Sequence, residues 1–137
     1  MSDERAMSLD KRLEALAGRF EADRFDDIDY RTLLTRVLEA VRDNQDLFNS
    51  DAAQCAGTPA FDLLLEMLDF CILDRIAERD NIDEIGEYCW RMARYNAAGT
   101  VELIGEWIGE GFVDSVSEIV NLAIDYISPE LRPYLVD

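Results

Sequence analysis

Apolar residues recur at intervals of three and four along most of the chain, a spacing that places them on one face of an α-helix. A first helix is predicted over residues 9–23, with Ser8 as its cap, and a second over residues 30–41 after an acidic turn. No run of strictly alternating apolar and polar residues indicates a strand. The pattern therefore predicts an all-α fold.

The third predicted helix, over residues 59–79, is unusual because its apolar residues cover nearly the whole circumference. Thr58 followed by Pro59 marks its start, and the polar stretch 43–57 before it is predicted as a long connection with at most one short turn around residues 52–55. A helix that is apolar on all sides is normally surrounded by others. We therefore expect one acidic domain, residues 1–137, folded as a single compact bundle of about six helices around this central one.

Glycine and capping residues divide the next segment into two helices. Caps among residues 80–83 open a fourth helix, and Gly99 supplies the left-handed residue that ends it. Thr100 opens a fifth helix, which is interrupted at residues 109–111, because each interior glycine costs about 1 kcal/mol relative to alanine.

Two further capping signals organise the end of the chain. Ser115 and Glu118 have the spacing of a capping box, which predicts a sixth helix. Ser128 followed by Pro129 repeats the signal that opens the third helix and predicts a short last turn.

Charge is the strongest compositional signal. Thirty acidic residues against thirteen basic ones give a net charge of −17, and residues 43–137 carry twenty of the acids but only five of the bases. A field of this sign repels phosphate backbones and anionic lipid heads over roughly 8 Å. We therefore expect neither direct nucleic-acid binding nor membrane binding, and the charge favours a basic protein as the partner.

Missing residue types exclude most catalytic and metal sites. The chain has no histidine, so His-based nucleophile systems and His-based metal sites are absent. Cys55, Cys71 and Cys89 form no CxxC pair, which predicts reduced thiols, with the last two buried in helices. No apolar segment approaches the length of a membrane span. These features predict a cytoplasmic protein that is not an enzyme and has no catalytic residue, cofactor or metal.

Five carboxylates spaced four residues apart form the most ordered charge feature. In a continuous helix they make a slowly winding negative row that imitates a phosphate strand; the alternative is the solvated face of an ordinary amphipathic helix. Trp107 lies at the border of that face and is either an exposed interface anchor or a core residue. The predicted partner-binding residues are Glu102, Glu106, Trp107, Glu110, Asp114 and Glu118.

Two functional hypotheses follow from these features. The first is an inhibitory protein that occupies a basic, nucleic-acid-binding surface of another protein, with a nucleic-acid mimic as one form. In size, helicity and acidity the chain resembles nuclease immunity proteins and phage-encoded inhibitors of host defence. The second is a structural or adaptor bundle, with a homodimer as one form, in which acidity serves solubility or salt adaptation.

A third hypothesis rests on the motif Asp83-Glu84-x-x-Glu87. Carboxylates at this spacing on a helix share hydrated Mg²⁺ with the phosphates of a nucleotide. The motif resembles the first half of the acidic motif of the all-α nucleotide pyrophosphohydrolases of MazG type, and the resemblance implies Mg²⁺-dependent hydrolysis. The second carboxylate pair of that family has no counterpart downstream, which ranks this hypothesis third.

Overall fold

The computed structural model describes residues 2–49 and 59–136, and the helices within them carry the whole architecture. No strand occurs in these two ranges, so the predicted all-α fold is confirmed. The helices are α1 Ser2–Arg24, α2 Tyr30–Asp43, α3 Gln45–Asn49, α4 Pro59–Asp80, α5 Glu87–Gly109, α6 Val116–Asp125 and α7 Arg132–Leu135.

Helix α4 occupies the centre of the bundle, as its apolar circumference predicts. It packs against α1, α3, α5 and α7, and its buried side chains include Leu64, Leu68, Ile72 and Ile76. Burying one such side chain contributes about 1.5–3 kcal/mol, so α4 supplies much of the apolar core. Burial also raises the pKa of the Cys71 thiol on this helix to about 12, which makes it an inert core residue, as expected.

The connection predicted over residues 43–57 is partly helical. Helix α3 begins two residues after α2 ends, and it buries Leu47 and Phe48. The ring of Phe48 meets that of Phe61 on α4 edge to face, with centroids 5.2 Å apart. The prediction of an unstructured stretch is therefore wrong at residues 45–49, because two apolar side chains suffice to dock this short helix. The turn predicted at residues 52–55 lies outside the described residues.

The predicted boundary between a fourth and a fifth helix is wrong, because α5 continues through Gly99 and Thr100 without a break. Thr100 is buried within the helix, and its hydroxyl donates a hydrogen bond of 3.1 Å to the carbonyl of Asn96. Ala97 and Ile104 on either side are fully buried. Burial of this face compensates for a glycine that lowers local helix propensity.

The start of α5 also differs from the prediction. Helix α4 extends to Asp80, and α5 begins only at Glu87, with Gly86 as its N-cap residue. Asp83 and Glu84 therefore lie in the intervening loop. The helical face on which the Asp83-Glu84-x-x-Glu87 motif depends does not form.

The interruption at residues 109–111 is confirmed. Helix α5 ends at Gly109, and Gly111 adopts a φ of 81°, in the left-handed region that glycine enters without steric cost. Phe112 follows with a φ of 59°, and its ring packs edge to face on Trp107 at 4.8 Å. This aromatic contact offsets the backbone strain of a bulky residue at positive φ.

The two C-terminal capping signals have different outcomes. Ser115 and Glu118 form the predicted capping box at the start of α6, with both reciprocal hydrogen bonds present. Ser128 and Pro129 open the predicted short turn, in which the Ser128 carbonyl accepts hydrogen bonds of 3.0 and 3.2 Å from the backbone N–H groups of Leu131 and Arg132. The Ser128 hydroxyl does not act as its cap, because Oγ is buried without a hydrogen-bond partner among the described residues. The last helix, α7, begins four residues later, at Arg132.

None of the helices in the two described ranges combines the length and the apolar character needed to cross a bilayer.

Candidate functional site

The predicted row of five carboxylates is divided among three elements. Glu102 and Glu106 lie on α5, Glu110 is its C-cap residue, Asp114 lies in the turn, and Glu118 belongs to α6. The five carboxylates therefore do not form the row that an uninterrupted helix would give, because α5 ends at Gly109 and α6 begins only at Val116, in line with the predicted interruption.

Three of these carboxylates are free for other contacts. Glu102, Glu106 and Glu110 are exposed, and none of them forms an ion pair with a side chain that the structure describes, in residues 9–48 and 59–136. The Glu118 side chain is engaged in the capping box, and Asp114 is half-buried. The exposed carboxylates of α5 thus remain the negative part of the predicted binding surface.

Trp107 is a core residue, so its predicted role as an exposed anchor is wrong. Its side chain is 2% exposed, and Nε1 donates a hydrogen bond of 2.8 Å to the carbonyl of Asp114. A buried indole N–H normally requires such a partner. Trp107 therefore holds the turn between α5 and α6 in place instead of projecting from it.

Exposed tyrosines continue the acidic surface of α5 toward its N-terminus. Tyr88, Tyr95 and Glu102 are seven residues apart, and residues at this spacing drift by only about 20° around a helix. Glu106 follows one turn after Glu102 on the same face. Tyr88 is 69% exposed and Tyr95 86%. Along this stripe of α5, two exposed tyrosines are thus followed by two exposed carboxylates.

A groove runs beside the stripe formed by Tyr88, Tyr95, Glu102 and Glu106. One wall is α5, and the other is the end of α6 with the segment that follows it. The volume of the groove is about 680 Å³, the size of an ordinary ligand pocket. Tyr126, at the end of α6, stands on the opposite wall and is 71% exposed. The lining residues are Tyr88, Arg91, Met92, Tyr95, Asn96, Gly99, Thr100, Leu103, Ala123, Tyr126, Ser128 and Glu130.

Two polar atoms in the groove lack partners. Oδ1 of Asn96 and Oγ of Ser128 are buried, and neither forms a hydrogen bond within the described residues. An unsatisfied buried polar group costs about 1–3 kcal/mol, and native folds contain few of them. Both residues line the same groove, and together with its volume and its exposed tyrosines this makes it the binding-site candidate of the described structure.

Gly99 keeps the middle of the groove open. A Cβ atom built at this position meets no other atom within 4 Å, so no neighbouring group requires a glycine here. Its φ is not in the left-handed region either. A glycine inside a helix costs about 1 kcal/mol relative to alanine. What this glycine provides is space in the groove wall.

The arginines of α5 are held by acidic neighbours. Arg91 lines the groove and donates to Glu87 at 2.7 Å, and Arg94 donates to the buried carboxylate of Asp69 at 3.0 Å. From residue 95 to residue 130 no basic residue occurs. The charged side chains of α5 after residue 94 are therefore all carboxylates.

No group of three or more potential metal-ligating side chains is assembled within residues 2–49 and 59–136. The loop carboxylates of Asp83 and Glu84 are exposed. The described arrangement therefore contains a binding groove with hydrogen-bonding groups but no assembled acidic metal centre.

The groove is the feature that the sequence pattern does not reveal. Tyr88, Tyr95 and Tyr126 are unremarkable as isolated residues in a helical pattern, and the predicted break at Gly99 separates the first two from Glu102. When residues 87–109 are taken as one helix, Tyr88, Tyr95 and Glu102 lie on the same face. This seven-residue spacing is the signal in the sequence that indicates the exposed stripe beside the groove.

Comparison of the chain with protein families, with curated proteins and with solved structures gives no match.

Proposed function

We propose that this chain is an acidic binding protein whose α5–α6 face occupies a basic surface of another protein. The observation that carries the proposal is the set of exposed carboxylates at Glu102, Glu106 and Glu110, which form no ion pair with any side chain that the structure describes. They adjoin an aromatic groove, so the face offers both charge and apolar contact area. Complementary charge accelerates encounter, and buried aromatic contacts slow dissociation.

The basic surface that we favour is one that binds nucleic acid, because such surfaces carry the clustered positive charge that this face complements. Occupying it makes the chain an inhibitor by competition. The turn at Gly111 divides the carboxylates between two helices. We therefore propose that the chain imitates the local negative charge of a nucleic acid but not the path of its phosphate backbone.

The test is a pull-down from the lysate of the source organism, washed at about 50 and 500 mM NaCl. Three proteins serve as bait: the unchanged chain, a variant with Glu102, Glu106 and Glu110 changed to glutamine, and a control variant with Glu14, Glu21 and Glu78 changed to glutamine. The control glutamates are also exposed and form no ion pair within the described ranges, so both variants lose three charges.

We expect a stoichiometric basic protein that is retained by the unchanged chain and the control, released at the higher salt, and lost with the α5 variant. Duplex DNA added to the purified complex is expected to displace the partner. Equal retention by both variants contradicts the proposal and leaves acidity as a solubility feature of a structural bundle. Partner binding that DNA does not affect contradicts the inhibitory part alone.

A further inference from the structure

We propose that the groove between α5 and α6 binds an arginine-bearing segment of the protein partner. This inference rests on the proposed function and names the chemistry of its contact. The groove offers hydrogen-bond acceptors and aromatic faces, and its one cationic lining residue, Arg91, is paired with Glu87. Such a site suits a ligand that brings positive charge and N–H donors.

Two residues that line the groove carry polar atoms without a hydrogen-bond partner among the described residues, and both atoms can accept a hydrogen bond. Oδ1 of Asn96 accepts hydrogen bonds only, and the hydroxyl oxygen of Ser128 accepts as well as donates. The carboxylate of Glu130 lies on the same wall. A guanidinium group presents five N–H donors in a planar fork, which allows one side chain to satisfy several acceptors at once.

The aromatic side chains favour arginine over lysine. Tyr88, Tyr95 and Tyr126 are strongly exposed along the two walls, where a planar guanidinium stacks on a ring face. The volume of about 680 Å³ exceeds a single side chain and accommodates a short stretch of polypeptide with apolar neighbours. Beyond the groove, Glu102 and Glu106 continue the same face and extend the preference for a basic segment.

Gly99 allows the groove to be filled without disturbing the fold. Leucine at this position meets open space at its Cβ and favours helix more than glycine does. Gly18 on α1 is the matched control, because it is also helical and exposed and its Cβ position is also open. Thermal unfolding followed by circular dichroism verifies that Gly99→Leu and Gly18→Leu are both folded.

The probe is a fluorescein-labelled nonapeptide of alternating arginine and leucine, compared with peptides in which lysine or citrulline replaces arginine. Binding is measured by fluorescence anisotropy. We expect saturable one-to-one binding of the arginine peptide, weaker binding of the lysine peptide, and a loss of about tenfold or more with neutral citrulline. Gly99→Leu is expected to weaken the arginine peptide by about tenfold or more, and Gly18→Leu to leave it unchanged.

Three results overturn the inference: equal affinity of Gly99→Leu and Gly18→Leu, equal affinity of the arginine and citrulline peptides, or no saturable binding below about 1 mM. The failure of the proposed function is distinguishable. If the α5 glutamine variant loses the whole partner while Gly99→Leu keeps it, the function holds and the groove inference falls. If Gly99→Leu no longer binds the arginine peptide while no partner depends on the α5 carboxylates, the groove inference holds and the proposed function fails.

Discussion

The two sides of the bundle use their charges in opposite ways. Around α1 and α2, arginines are matched to carboxylates: Arg24 holds Asp74 with two hydrogen bonds of 2.6 and 3.0 Å, and Arg36 holds Asp26 at 2.7 Å. Residues 87–130, which form the α5–α6 side, contain eight acidic residues and two arginines. Arg31 and Arg132 reach α6 from elsewhere and donate to Asn121 and to the carbonyl of Ile124. Carboxylates on the first side are thus paired within the fold, whereas among the acidic residues of 87–130 only Glu87 forms an ion pair with a described side chain, that of Arg91.

This difference changes how the net charge of −17 is understood. An evenly spread excess of acid indicates solubility or salt adaptation. Here part of the excess is concentrated on one face, where exposed tyrosines and a groove with unsatisfied polar atoms accompany it. Surface ion pairs are worth about 0–1 kcal/mol each, so the contrast matters more for recognition than for stability.

The largest expected effect concerns the buried residue that holds the turn between α5 and α6 in place. Trp107→Ala removes a buried ring and the hydrogen bond that fastens the turn, and we expect it to lower the free energy of unfolding by about 3–5 kcal/mol. Trp90→Ala is the control because this side chain is 44% exposed, and its expected cost is below about 1 kcal/mol. Urea unfolding followed by circular dichroism measures both, and similar costs would show that Trp107 is not the structural anchor.

The sequence predicted correctly those features of the fold that depend on a few neighbouring residues. The capping box of Ser115 and Glu118 and the turn at Gly111 depend on a few neighbouring residues, and both are present. The break at Gly99 was wrong because packing of the opposite face of α5 overrides a local preference. The groove depends on the juxtaposition of α5 with Ser128 across the bundle, which no spacing along the chain encodes.

Helix capping provides the next test of the comparison, because the caps of α2 and α6 differ in charge. Asp29 accepts a hydrogen bond of 2.7 Å from the backbone N–H of Thr32, and these hydrogen bonds hold the pKa of its carboxyl below the usual value. Asp29→Ala is expected to lower the free energy of unfolding by about 1 kcal/mol at neutral pH. Ser115→Ala at the α6 cap is expected to cost a similar amount.

The stability costs of Asp29→Ala and Ser115→Ala should differ increasingly as the pH falls. A carboxyl whose pKa is lowered by folding stabilises the fold above its unfolded pKa, near 4, and loses that contribution as the pH drops through the lower folded value. The difference between the unchanged chain and Asp29→Ala should therefore shrink in acid. The Ser115 hydroxyl does not titrate, so its loss carries no such protonation step. Urea titrations from pH 7 to about pH 3 measure both costs, and a constant cost for Asp29→Ala would contradict the assignment.

The smallest expected effects are changes in the free energy of unfolding when one surface carboxylate is neutralised. Their sign differs between the α5–α6 side and the α1–α2 side. Glu102 and Glu106 are one helical turn apart, and like charges at this spacing oppose helix formation by a few tenths of a kcal/mol. Glu106→Gln is therefore expected to raise the free energy of unfolding by that amount in low salt, and the gain should fade as salt screens the pair. Asp46→Asn, which breaks the pair with Arg12, is expected to lower it by up to about 1 kcal/mol. If Glu106→Gln also destabilises the fold, its carboxylate has an internal role, and the face is not held in reserve for a partner.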